Sequence, residues 1–180
     1  MATILLGVTG SIAAYKACEL TRLFVKNGQD VHVILTQAAT RFVAPLTFRT
    51  LSRNPVSVDM FDEPEEWVPG HISLAERAQA LVIAPCTANV IAKLAYGLSD
   101  DMLTSTALAT RAPLVIAPAM NTGMWEHPAT RANLATLTAR GALLVDAGTG
   151  DLACGTTGKG RMAEPQAVFD AVMRLLAAKG

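Results

Sequence analysis

Charge is scarce in this 180-residue sequence: charged residues make up 17%, and 15 Lys+Arg cancel 15 Asp+Glu. Without a basic stripe the chain has no footing for a polyanion, so a nucleic-acid partner is not expected. Cysteine is scarce too. Cys18, Cys86 and Cys154 lie far apart and form no C-x-x-C pair, which predicts free thiols with neither a disulfide framework nor a metal site. No apolar run approaches the roughly 20 residues of a membrane span. The apolar start MATILLGVTG is broken by Gly7 and Gly10 and has no basic region before it. These absences together predict a soluble, cytoplasmic protein that makes no use of membrane.

What the chain does have is apolar bulk, 51% of its residues. That excludes a disordered chain and predicts an ample core, or a core plus apolar subunit interfaces. The length suits one domain over residues 1–180, burying roughly 70% of the surface that the unfolded chain exposes. Short apolar runs at Thr3 to Val8, Val31 to Leu35, Leu81 to Ala84, Leu114 to Ala117 and Leu143 to Val145 predict strands. Helical patterns fall at Ile12 to Asn27 (stopped by Gly28), Ala88 to Ala95, Asp101 to Thr110, Ala129 to Arg140 and Pro165 to Ala178. Alternation of this kind predicts a single doubly wound α/β domain, a three-layer sandwich with helices on both faces of a parallel sheet. Two stretches break the rhythm. Asp59 to Gly70 reads as an exposed connection. Gly148 to Gly160 holds five glycines in thirteen positions and predicts a loop unable to hold itself rigid.

Ligands of open parallel sheets bind beyond the carboxyl ends of the strands. The first such end, GVTGSIAAYK, places Gly10 and Ser11 at a helix start suited to a phosphate or to an ordinary capped turn. Its spacing is neither G-x-G-x-x-G nor a Walker A loop. Thr36 follows the second strand. APCTAN and APAMN follow two more, each with a proline expected to fix a turn and an asparagine, Asn89 or Asn121, that both donates and accepts. Their convergence predicts one shared site. His71, in PGHISLAERA, precedes a helical segment as either a cap or a catalyst, whereas His32 and His127 read as structural. Cys18 and Cys86 read as small packed side chains. Cys154 sits on the glycine-rich loop near Lys159 and Arg161, which would lower its pKa or hold an anionic substrate.

GVTGSIAAYK, GHISLAERA, APCTAN…AKLAYGLSDDMLTSTALA, PAMNTGMW and LACGTTGKGRM, in that order, resemble the homo-oligomeric flavin-containing cysteine decarboxylases. More closely, they resemble the branch acting on 4′-phosphopantothenoylcysteine in coenzyme A biosynthesis, and the likeness runs from about residue 3 to Pro165. The resemblance implies FMN, with its phosphate at Gly10, Ser11 and Ile12 and Thr36 nearby. Thr87, Ala88, Asn89 and Val90 would approach the ring and ribityl chain, with Ala119 beside them. It further implies His71 as the active-site histidine, Asn121 as the ligand of the substrate carboxylate, and Met124 in the same substrate-facing segment. Residues 148–162, including Lys159, Arg161 and Met162, resemble a flap that closes over substrate. Trimers or assemblies of trimers are implied, as is a phosphopantothenate–cysteine ligase, fused or separate.

Chemistry explains why such parts are needed. A simple amino-acid carboxylate does not lose carbon dioxide, because the carbanion has nowhere to place its electrons. Oxidation of the cysteinyl thiol side to a thioaldehyde creates that place, and flavin is a cofactor suited to the oxidation. The resulting enethiolate must then be reduced, with an acid supplying a proton; Cys154 is the candidate acid, and His71 would orient or polarise the substrate. Flap closure would exclude water. Three relatives of the same fold compete: a peptidyl-cysteine decarboxylase that stops at the enethiol, a flavin prenyltransferase, and a non-catalytic FMN-binding subunit. LACG on the flap favours the coenzyme A branch over the first, and together with PAMN over the second; the clean end at Lys179 and Gly180 speaks against the acidic tails of the third.

Overall fold

The apolar runs become strands because each alternates its side chains between two hydrophobic faces. The computed structural model describes residues 1–61, 69–151 and 157–178. In β1 (Thr3–Val8), Ile4, Leu6 and Val8 enter one core and Leu5 the other. In β4 (Ala80–Cys86), Val82 and Ala84 enter the first core, and Leu81, Ile83 and Cys86 the second. Burial on both faces is the reason these strands read as nearly unbroken apolar runs. With β2 (Asp30–Leu35), β3 (Val56–Ser57), β5 (Leu114–Pro118) and β6 (Leu143–Leu144) they form one six-stranded parallel sheet, order β3-β2-β1-β4-β5-β6.

The first core is covered by α1 (Ala14–Lys26), α2 (Pro45–Ser52) and α8 (Pro165–Ala177). On α1, Ala14, Ala17, Leu20, Thr21 and Phe24 are buried at helical spacing, and Phe24 meets Phe169 of α8 with ring centroids 5.4 Å apart. Each such large apolar side chain contributes about 1.5–3 kcal/mol by leaving water. Gly28, at φ +77°, ends the helix turn where a side chain would be strained. The second core is covered by α3 (Gly70–Arg77), α4 (Ala88–Tyr96), α5 (Met102–Ala109), α6 (Thr122–Glu126) and α7 (Pro128–Ala139). The three-layer sandwich is as expected from the sequence.

Several details differ from that expectation. Helix α2, a 3-10 turn at Ala39–Arg41, and strand β3 fill a stretch that carried no clear pattern. Pro85 and Pro118 lie within the last residues of β4 and β5, not in turns beyond them, and the register between β4 and β5 shifts between Ile83 and Cys86. A bulge is where a sheet tolerates a residue with no N–H to give. The glycine-rich segment is not a plain loop. Its stems, β7 (Gly148–Asp151) and β8 (Thr157–Arg161), pair antiparallel, with Gly150 opposite Gly158. Cross-strand hydrogen bonds offset the entropy that its glycines lose.

Candidate functional site

Beyond β1 the chain winds outward through β2 and β3, and beyond β4 it winds the other way through β5 and β6. The carboxyl ends of β1 and β4 therefore flank the point where the strand order reverses, the crevice in which such sheets bind ligands. One side chain spans it. Thr9, fully buried, donates its hydroxyl to the Pro85 carbonyl at 2.7 Å and accepts the Thr87 amide at 3.0 Å. Gly10 follows and packs so closely on Ala38 that a Cβ would lie 2.5 Å from the Ala38 methyl. That contact draws the β2 end, with Thr36, against the β1 end. The Thr36 amide also donates to Val8 O at 3.1 Å. On the far side, the Ala119 amide donates to Cys86 O at 3.1 Å, bringing in the β5 end.

The groups gathered here are neutral hydrogen-bonders. Ser11 Oγ accepts from the Ala13 amide at 3.2 Å, Thr36 Oγ1 from the Ala39 amide at 3.2 Å, and Thr87 Oγ1 from the Val90 amide at 3.5 Å. Each hydroxyl therefore keeps its own proton to donate elsewhere. Segments 9–13, 36–39, 86–90 and 117–121 contain no Asp, Glu, Lys or Arg. A donor-rich cluster without a carboxylate fits a phosphate, and first-turn amides of α4 beside Ala88, Asn89 and Val90 add to it.

Asn121 caps α6, its Oδ1 accepting the Gly123 amide at 2.8 Å, and half-exposed Met124 follows on the same short helix. Strand β8 reaches this corner, where the Met120 amide donates to Gly160 O at 2.9 Å. Lys159 and Arg161 are each paired with a carboxylate. Lys159 Nζ lies 2.9 Å from Asp146 and 5.3 Å from the Trp125 ring centroid, and Arg161 pairs with Glu164 at 3.1 Å. Glu164 also holds buried Lys16 at 3.0 Å, and that hydrogen bond, with Arg161 adding to it, keeps its carboxyl below the usual range against a slight burial. Met162, expected on the substrate side, is 1% exposed, with its side chain packed in the first core. Cys154 lies outside the described residues.

His71, the second residue of α3, stands apart from the hydrogen bonds that knit the strand ends; α3 packs on α5, and His71 Nδ1 is buried without a partner among the described residues. His127 caps α7 by accepting the Ala129 amide, and His32 pairs with Asp30 at 3.0 Å, both structural roles. Burial pushes the Cys86 thiol far up, which keeps it protonated and inert beside the site; Cys18 is pushed up by burial as well. Thr9 was missed in the sequence, although a hydroxyl ending a buried apolar strand is the signal that would have found it. Among the described residues no cluster of His, Cys, Asp and Glu would hold a metal, and no helix is long and apolar enough to cross a membrane.

The model of the Flavoprotein family matches residues 1–177. Among curated proteins, the chain is 51% identical over 163 residues to the coenzyme A biosynthesis bifunctional protein CoaBC of Bacillus subtilis. That match takes in 91% of this chain and 40% of the relative, so the chain spans about two fifths of that protein's length. Among solved structures, a PPC decarboxylase variant in complex with pantothenoylaminoethenethiol superposes with TM-score 0.88 at 33% identity, covering 98% of each chain. The FMN-dependent cysteine decarboxylase SpaF superposes with TM-score 0.85 at 28% identity, again over 98% of each chain.

Proposed function

The chain belongs to the flavoprotein family, and from that footing we propose that it is an FMN-dependent decarboxylase converting 4′-phosphopantothenoyl-L-cysteine to 4′-phosphopantetheine for coenzyme A synthesis. The observation that carries this reading is the crevice between β1 and β4, whose neutral donors suit a phosphate and whose β5 side is closed by the Asn121 loop and the hairpin. Identity of 51% to the coenzyme A biosynthesis protein supports the small-molecule substrate over a precursor peptide.

FMN, when bound, supplies the reversible two-electron redox chemistry that makes the carboxylate a leaving group. Gly10, Ser11, Ile12 and Thr36 would hold its phosphate; Thr87, Ala88, Asn89, Val90 and Ala119 would lie along the rest. Asn121 would take the substrate carboxylate, with Met124 bounding the pocket. His71, whose buried Nδ1 has no partner among the described residues, would orient or polarise the thiol side in the oxidative half. Cys154 would give a proton to the enethiolate in the reductive half. Lys159 and Arg161 would act by holding the hairpin, since an anionic substrate would have to displace Asp146 or Glu164 to reach them.

Self-association fits the surface: Ile12, Tyr15, Phe42 and Leu46 are exposed apolar residues on the elements next to the Gly10 loop. A homotrimer, or an assembly of trimers, would cover them. A phosphopantothenate–cysteine ligase, fused or separate, would supply the substrate, and the cytoplasm would be the setting.

The test is a mass spectrum of the product after incubation with 4′-phosphopantothenoylcysteine. Loss of carbon dioxide alone is expected. Loss of carbon dioxide and two hydrogens would move the assignment to a peptidyl-cysteine decarboxylase, and no reaction by FMN-loaded protein would overturn it. Cys154→Ser is expected to release carbon dioxide yet yield the product two hydrogens lighter; normal 4′-phosphopantetheine would remove Cys154 from the chemistry.

A further inference from the structure

Strand β8 approaches the Asn121 loop more closely than side chains permit. Gly158 and Gly160 both face residues 120–122, Gly160 lying where the register between β7 and β8 shifts. A Cβ on Gly158 would strike Thr122 Oγ1 and lie 3.2 Å from both Thr122 Cβ and Cγ2. A Cβ on Gly160 would strike Met120 O, and Gly160 already has φ +131°, a conformation that glycine alone adopts readily. The Met120 amide donates to Gly160 O at 2.9 Å across this contact. Thr122 Oγ1 is meanwhile buried with no partner among the described residues, the cost of a close fit that offers it only a bare Cα. Between the two glycines, Lys159 reaches over Trp125 to Asp146.

We propose that Gly158 and Gly160 are positioning residues: their missing side chains seat β8 on residues 120–122 and thereby set how tightly substrate is held next to Asn121. The role in substrate affinity rests on the decarboxylase reading; the seating itself is measurable without turnover. A methyl at 158 would push β8 and Thr122 apart by about 1 Å next to the candidate site, where misplacement on that scale is costly.

Gly158→Ala holoprotein is expected to keep its flavin absorbance per chain, to raise KM for 4′-phosphopantothenoylcysteine about tenfold or more with a smaller change in kcat, and to speed hydrogen exchange at the Met120 amide. Thr122→Ala removes two of the atoms in the way. The Thr122→Ala/Gly158→Ala pair should therefore return to within about threefold of Thr122→Ala alone, because contacting sites couple. A wild-type KM in Gly158→Ala overturns the proposal. So does a defect, or a loss of flavin, that the pair does not relieve. Should the wild type itself fail to turn over substrate, the decarboxylase reading falls, and exchange at Met120 still decides the seating: an unchanged rate in Gly158→Ala overturns it, and a faster rate restored in the pair supports it.

Discussion

At the amino end of the sheet, Gln29 and Gln79 accept the amides of Ala2 and Thr3 at 2.8 and 2.9 Å, and an open cleft of about 900 Å³ lies among α3, α8 and the approach to β5. At the carboxyl end, the ties are threonine and serine hydroxyls, a glycine pressed on an alanine, and helix starts with amides to give. That cleft is lined by a mixture of Ile72, Glu76, Arg111 and Met173, groups that share no recognisable ligand chemistry. The carboxyl end presents donors of one kind to one place. Direction and type of hydrogen bond, with the reversal of strand order, are what favour the carboxyl end as the candidate site.

The contrast can be broken by substitution, and the largest effect is expected at His71. His71→Asn should retain flavin colour while turnover falls about 10³-fold, the scale of a lost proton-handling or polarising group; an unaffected rate would strip the carboxyl-end reading of its catalyst. Thr9→Val should come next. It deprives both the Pro85 carbonyl and the Thr87 amide of their partner, so urea denaturation should show about 2 kcal/mol less stability and flavin titration a weaker complex, whereas a purely supporting threonine would cost stability alone.

Asp101→Ala tests the rim. Burial opposes the Asp101 carboxylate, but the Thr104 amide, Lys93 and the Thr104 hydroxyl hold it below the usual range. A lowered carboxyl stabilises above its unfolded pKa and stops doing so as pH falls through the folded value. The substitution should therefore cost about 1 kcal/mol near neutrality, a gap that closes in urea titrations below about pH 4. Gln79→Ala, at the other end, should be smallest: under about 1 kcal/mol, with flavin affinity unmoved. A drop in flavin affinity there would show the two ends to be coupled.

How much of this was legible in the sequence depended on where each signal was stored. Strands such as Thr3–Val8 were plain because both faces are buried, so no polar residue interrupts the run. Asp101–Thr110 was read from its helical pattern alone, and the structure adds a reciprocal cap between Asp101 and Thr104. Gly10, Thr36 and Asn121 were singled out because they follow strand ends at the carboxyl edge of a parallel sheet, where ligands of such folds bind, and Thr87 through the resemblance. Strand β3 was invisible, being two residues whose strand pairing is with β2, more than twenty positions earlier in the chain. The hairpin was misread because glycine carries no local preference for a strand; its order comes from Met120 and Thr122, tertiary partners that no window of sequence contains. Lys159 and Arg161 likewise looked available until their acidic partners were seen.

The absence of ionised side chains from the strand-end segments has a further consequence. A lysine-built phosphate site loosens as dissolved ions screen it. Fixed hydroxyls and amides give mobile ions far less to screen, so the proposed phosphate site would keep its ligand across swings in ionic strength.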